Sequence, residues 1–382
     1  MELGLTPEQE EFRSAVRDFA DEVVAPRAEA SDRAEEFPLD VVRRMAELGL
    51  FGIPFAEEYG GQGADLLTLC LAIEELARVD SSVAITLEAA VGLGAGPIHR
   101  FGSPEQKERW LPRMCRGEIL GSFGLTEPGG GSDASSIHTT ARLDGGEWVI
   151  DGTKAFITNS GTPLSAVCTV GARTGDEEIS TILVPNGTPG FTVGPSYRKM
   201  GWHASDTHEL SFSGCRVPEE NLLGERGRGY AQFLEVLDDG RIAIAALAVG
   251  LAQGCLDASV KYAGERHAFG RPIGVYQALR FKMADMKVAI ENARLATWRA
   301  AWLRDTGRPF KTEAAIAKLS ASEAAVDCAR EAVQIHGGYG FMEDFPVARF
   351  YRDAKILEIG EGTSEIQRLV ISRALGLPAP DA

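Results

Sequence analysis

The hydrophobic period of this chain changes twice, and that sets a three-part fold. Up to Gly117 apolar residues recur at helical spacing, as in Phe12, Val16, Phe19 and Val23 and again in Leu69, Ile73 and Leu76. Thr6-Pro7-Glu8-Gln9 starts the first helix with a capping box, and Ser103-Pro104-Glu105-Gln106 starts a later one. After Ile119 the spacing shortens to alternation. Trp148, Ile150, Phe156 and Thr158 alternate around Asp-Gly turn signals at 144–145 and 151–152. Short strands follow at 166–170, 180–184, 191–193 and 209–212. From about Gly229 the helical period returns, with one long helix from Tyr230 to Glu265 and two more at 281–306 and 311–335. The expected fold is a multi-domain α+β chain. Residues 1–119 form an N-terminal helical domain, 120–228 a small antiparallel β-barrel or sandwich, and 229–382 a C-terminal four-helix bundle, with residues 378–382 a frayed tail.

A formal net charge of −16 argues against nucleic-acid binding, which wants a basic face. No apolar run is expected to reach the roughly 18 residues needed to span a bilayer, and the acidic start MELGLTPEQEEF shows no signal or transit pattern. Six scattered cysteines without C-x-x-C read as free thiols in a reducing cytoplasm. The histidines show no metal-ligand spacing, so no metal site is expected.

Five stretches carry chemistry-bearing residues. Glu361 lies between Gly360 and Gly362, before a helix read as starting at Ser364 with Gln367 completing its cap. A carboxylate on such a break suits a general base, although a solvated loop glutamate looks the same. The loop SFGLTEPGGGSDASS (122–136) offers the backbone amides of Gly129 to Gly131 and the hydroxyls of Thr126, Ser132 and Ser135 to an acceptor. Arg266 and Arg271 in ERHAFGRPIGVYQ (265–277) suit a pyrophosphate. QIHGGYG (334–340) ends a helix in glycines. Asp238 and Arg241 in LDDGRI share a helix face. Alone, each also reads as a structural turn, a helix stop or an ordinary ion pair.

Together these stretches resemble the acyl-CoA dehydrogenase family, over nearly the whole chain. The resemblance is carried by LTEPGGGSD (125–133), KAFITN (154–159), KMGWHASDTHELSF (199–212), ERHAFGRPIGVYQ (265–277), QIHGGYGF (334–341) and RDAKILEIGEGTSEIQR (352–368). It implies FAD and oxidation of an acyl-CoA to the trans-2-enoyl-CoA, with a carboxylate taking the α-proton while the β-hydrogen leaves as hydride to flavin N5. The base of most members matches Glu361. The alternative base position of other members matches Gly240, which leaves Glu361.

The resemblance also assigns the remaining roles. Phe123, Leu125, Thr126 and Ser132 line the flavin from one side, and Phe156 and Thr158 cover the other. Arg266, Phe269, Gln277, Gln334, Ile335, Gly337 and Gly338 hold the pyrophosphate and adenosine of a neighbouring subunit's FAD. Thr363 and Glu365 touch the FAD of their own subunit. Ser132, Asp238, Arg241, Gly360 and Gly362 meet the substrate. The implied partners are an electron-transfer flavoprotein and further copies of the chain in a homotetramer, a dimer of dimers. An oxidase using O2 and a non-catalytic FAD-binding relative are the alternatives. Gly360 stands where straight-chain relatives often carry Tyr, which widens the pocket toward branched acyl groups. Ala84 argues against a dicarboxylate, and Glu88 is expected near the pocket floor, which favours short or medium chains. Burial should raise the pKa of Glu361 and the following helix N-terminus should lower it.

Overall fold

The structure, a computed structural model, describes residues 4–376; the tail expected at 378–382 lies outside them. Seven helices come first: α1 (Pro7–Phe19), α2 (Ala25–Ala34), α3 (Leu39–Glu47), α4 (Leu66–Ala77), α5 (Ser81–Glu88), α6 (Gly96–Phe101) and α7 (Pro104–Cys115). Both expected capping boxes form, Thr6 with Gln9 and Ser103 with Gln106. Between α5 and α6 the helix does not stop. It widens into π-turns over Ala89–Ala95, a device that often marks a functional position.

Seven strands then form one curled sheet: β1 (Leu120–Gly124), β2 (Thr140–Asp144), β3 (Glu147–Thr158), β4 (Ser165–Arg173), β5 (Ile179–Pro185), β6 (Phe191–Ser196) and β7 (Thr207–Pro218). Their order is β1-β4-β2-β3-β7-β6 with β5 on β4, antiparallel except where β4 runs parallel to β1 and β2. The Asp144-Gly145 turn signal is right, since β2 and β3 form a hairpin there. The signal at Asp151-Gly152 is not a turn. β3 runs through it, and the ladder with β7 merely slips register between Ile150 and Gly152. A continuous partner strand outweighs a local dipeptide preference, and the extra residue becomes a bulge. A second slip falls between Lys154 and Ile157. There Phe156 adopts φ 61 and stands 64% exposed between buried Ala155 and Ile157.

The C-terminal part comprises α8 (Gly229–Glu265), a small hairpin of β8 (His267–Ala268) and β9 (Arg271–Pro272), α9 (Gln277–Asp305), α10 (Lys311–His336), α11 (Pro346–Ala354) and α12 (Ser364–Ala374). The two helical parts share one core, to which α4 contributes Leu69, Ile73 and Leu76 and α8 contributes Leu247, Val249 and Leu251. The sheet keeps its own core around Trp148, Ile150, Val170 and Ile182. At the α4–α8 crossing the backbones touch. A Cβ at Gly250 would lie 2.2 Å from the Glu74 carbonyl oxygen, and one at Gly254 would lie 2.1 Å from that of Arg78. Neither backbone can give way, so Gly254→Val should destabilise the chain by about 1–3 kcal/mol, read as a lower denaturation midpoint.

Asp353 joins all three parts. Its oxygens accept from the Trp202 N–H (2.6 Å), in the β6–β7 loop, and from the Ser81 hydroxyl (2.7 Å), at the start of α5. One expectation is corrected here. The helical stretch Ser81–Phe101 and helix α8 are each long and apolar enough to cross a bilayer, but 83% of each apolar window is buried inside the protein. Their apolar character serves the core.

Candidate active site

Glu361 sits where the chain reverses between α11 and α12. Glu361 (φ 51) and Gly362 (φ 94) are both left-handed. That is unfavourable for a glutamate, and such residues persist where surrounding contacts hold them. The Gly362 carbonyl supplies those contacts, accepting from Lys318 Nζ (2.8 Å) and Gln367 Nε2 (2.8 Å). The cap of α12 is Thr363 rather than Ser364. Thr363 has the extended cap conformation and its hydroxyl accepts from the Ile366 N–H, while Ser364 is buried as the first helical residue. Gln367 therefore braces the Glu361 turn and does not complete a capping box.

The Glu361 side chain turns inward, and its Oε2 is buried. A Cβ on Gly240 of α8 would lie 2.1 Å from that oxygen, so the absence of a side chain at 240 makes its place. Next to Gly240, Arg241 donates to Asp238 Oδ1 (2.6 Å), and Lys311 contacts Asp238 Oδ2 (3.1 Å). Glu88, the last residue of α5, is fully buried, and its Oε1 lies 3.8 Å from the same point on Gly240. Burial holds the Glu88 carboxyl well above the usual range, and the Glu361 charge pushes it the same way. Burial also raises Glu361, to about 6, against the downward pull of Glu88, Lys318 and Arg241. Burial is the largest cause, and the opposing pulls come from these three side chains. Lys318 is itself lowered to about 8 by burial, opposed by Glu361.

The neighbouring loop is fixed by a buried ion pair. Lys154 Nζ donates to Glu127 Oε1 (2.7 Å), and Glu127 also accepts from the backbone of His138 (2.7 Å) and Thr139 (2.9 Å). The Ala155 N–H donates to the Thr126 carbonyl (2.9 Å), which sets Thr126 beside Phe156. Ser132 is exposed and Thr158 half-buried, whereas Leu125 is buried and its carbonyl accepts from Lys154. Phe123 packs edge-on against Phe233 at 4.6 Å. The Gly129–Gly131 amides are not all available as expected, because the Gly130 N–H is taken by the Glu127 carbonyl (3.1 Å).

A third group lies around the β8–β9 hairpin. Phe269 (φ 53) and Gly270 (φ 79) make its two-residue turn, both left-handed as a tight hairpin requires, and Phe269 is 94% exposed. Arg266 lies over the Tyr339 ring at 5.6 Å, and Gln277, Gln334, Gly337 and Gly338 are exposed nearby in the chain, with Ile335 buried beneath. His336 is a packed histidine, stacked on Tyr262 at 4.2 Å. This group has its own small apolar cluster around Tyr262 and Ile273. Thr363 and Glu365 stand at the first turn of α12, Glu365 exposed.

Lys154, Glu127 and Lys318 were not singled out in the sequence. Lys318 had a signal, since it falls among Ala314, Ala317 and Ala321 on the buried face of α10. Lys154 and Glu127 lie inside two recognised motifs but 27 residues apart, and nothing local pairs them.

Residues 6–118, 122–215 and 227–376 match the N-terminal, middle and C-terminal domains of acyl-CoA dehydrogenases. The chain is 50% identical over 378 residues to a probable acyl-CoA dehydrogenase, YngJ, of Bacillus subtilis, covering 98% of this chain and 100% of that one. It superimposes on the butyryl-CoA dehydrogenase of Megasphaera elsdenii with a TM-score of 0.96 at 43% identity, over 99% of this chain and 100% of that one. A chain from a study of the electron transferring flavoprotein of Acidaminococcus fermentans matches with a TM-score of 0.96 at 45% identity, over 98% of this chain and 99% of that one. The chain belongs to the acyl-CoA dehydrogenase family, as its motifs implied, and is an oxidoreductase of that family.

Proposed function

We propose that this protein oxidises a short-chain acyl-CoA thioester, straight or branched, to the trans-2-enoyl-CoA, with Glu361 as the base for the α-proton. The observation that carries this is Glu361 itself: a half-buried glutamate on a strained turn, its Oε2 enclosed over a glycine and its pKa raised to about 6. A general base works best with a pKa near the operating pH. Among the described residues no backbone acceptor takes the Glu361 N–H. It is free to donate to the thioester oxygen as the α-proton leaves, which stabilises the enolate charge. Asp238 and Arg241 orient the CoA-bearing end.

The residues fit FAD. Phe156 and Thr158 present a ring and a hydroxyl, with Thr126 beside Phe156 and Ser132 exposed on the same loop, for the flavin, and Arg266 with the exposed side-chain-free backbone at Gly337 and Gly338 suits a pyrophosphate. FAD, when bound, supplies the acceptor for the hydride from the β-carbon. The substrate class follows from similarity to the butyryl-CoA enzyme and from Gly360, where an added side chain would meet only the Ile356 carbonyl oxygen at 3.5 Å and the Ile356 side chain at 3.9 Å. That space suits a branch on the acyl group.

Electrons leave to an electron-transfer flavoprotein, a reading supported by the Acidaminococcus match. A homotetramer is supported by Phe281, Val288 and Leu295, exposed at seven-residue spacing on α9, and by the exposed Phe269 hairpin. Six buried free thiols fit a reducing cytoplasm. We keep 1–119, 120–228 and 229–382 as the domain limits, since β1 begins at Leu120 and α8 at Gly229.

The test is the visible spectrum of the purified protein during anaerobic addition of butyryl-, isobutyryl-, isovaleryl- and octanoyl-CoA. Bleaching by the short members establishes the reading. A yellow protein that none of them bleaches would remove the short-chain assignment, and a protein that takes up no FAD would remove the oxidation itself.

A further inference from the structure

Glu88 has no role in the chemistry described so far, yet it is fully buried beside the base. Neither of its carboxyl oxygens, nor Oε2 of Glu361, has a hydrogen-bond donor among the described residues. Both side chains converge on the space over Gly240. Gly92, one turn beyond Glu88, also keeps that space clear, since a Cβ there would lie 3.0 Å from Glu88 Oε1. The widened π-turns begin at Ala89, directly after Glu88.

We propose that Glu88 is a positioning residue that carries a proton and donates it in a hydrogen bond to Glu361, holding the base ionised and parked over Gly240 until an acyl chain displaces it. The proposal rests on the reading of Glu361 as the base.

Enclosed carboxylate oxygens facing one another do not both stay ionised, so fully buried Glu88 and the enclosed Oε2 of Glu361 share one proton. The surrounding charges decide which partner carries it. The titratable group acting on Glu88 is Glu361 alone. Glu361 also feels Lys318 from α10 and Arg241 from α8, the latter already paired with Asp238. Positive charge therefore favours ionised Glu361, and the proton stays on Glu88. A neutral donor at Glu88 satisfies the orphaned Oε2 and lowers the proton affinity of Glu361 from the value that burial alone would give. When substrate enters, the base swings away charged, and Glu88 remains as a neutral wall of the acyl pocket.

The test compares Glu88→Gln, which keeps a donor, with Glu88→Leu, which removes it, in the FAD-loaded enzyme. One readout is the pH profile of flavin reduction by butyryl-CoA. The other, without substrate, is the infrared carbonyl stretch of a protonated carboxyl at neutral pH. Glu88→Leu should raise the apparent pKa of reduction by roughly one pH unit, while Glu88→Gln stays near the parent value. The infrared band should vanish in both variants and persist in Glu361→Gln. If both variants lower the apparent pKa, Glu88 is ionised and the proposal is wrong. A band unchanged in Glu88→Gln would equally overturn it, even if Glu88→Leu fails to fold. If Glu361→Gln reduces flavin at the parent rate, the base assignment fails instead, and the infrared series still decides whether the pair exists.

Discussion

Glu361→Gln is expected to slow flavin reduction by acyl-CoA roughly 10^2- to 10^4-fold, the range for losing a positioned general base, while FAD remains bound. The amide keeps the size and the backbone turn, so the N–H proposed to meet the thioester is retained and substrate affinity should change little. Only the proton acceptor is lost. Stopped-flow bleaching at saturating substrate reads the effect directly, and a variant within threefold of the parent would remove Glu361 from the mechanism. The parent should show the matching pH dependence. Its base is active only when ionised, and burial raises its pKa to about 6. The reduction rate should thus be flat near pH 8 and fall as pH drops through about 6, approaching tenfold per unit below it. This limb should be absent from the residual rate of the variant.

The stability consequence of the same shift runs the other way. A carboxyl whose folded pKa lies above its unfolded value binds its proton more readily when folded. Burying Glu361 therefore costs stability increasingly as pH rises from 4.5 through about 6, and the cost is full above that. On the proposed role of Glu361, the site keeps a base near neutrality at the expense of the fold around it.

Much of this was legible in the sequence because it depends on local period. The lengths of α8, α9 and α10 follow from helical spacing, and the two glycines beside Glu361 mark the break on which it sits. What was not legible depends on distant partners. The turn signal at Gly152 was overruled by β7, which lies some sixty residues further on and holds β3 straight through it. The cap of α12 moved from Ser364 to Thr363 because the buried face of that helix takes up Ser364. Glu88 was placed near the pocket by resemblance, but its contact with Glu361 needs α5, α8 and the α11–α12 turn to meet, and no local pattern reports that. The same holds for Asp353, which connects three segments through single hydrogen bonds.

Lys154→Met should destabilise the protein by about 3–5 kcal/mol and release FAD, because it leaves Glu127 charged and buried without its cation. Lys154 is fully buried and Glu127 nearly so. The glutamate then keeps only the amides of His138 and Thr139. In the parent, Lys154 and these amides outweigh burial and hold the Glu127 pKa down to about 2. Its stabilisation is present above the ordinary value of 4.5 and is lost as pH falls toward 2. In Lys154→Met the Glu127 pKa should rise, so the variant's deficit against the parent should be largest above pH 4.5 and shrink as pH falls toward 2, where the parent loses the pair as well. The loop from Thr126 to Ser132 is anchored to β3 through this pair, so its loss should loosen the flavin contacts before the fold fails. Denaturant titration and FAD release on dilution measure the two effects separately. Adding Glu127→Gln to Lys154→Met should recover part of the stability, since a neutral amide no longer needs a cation. A single variant that loses under 1 kcal/mol would show that the pair contributes little net and that the two backbone amides alone hold the loop.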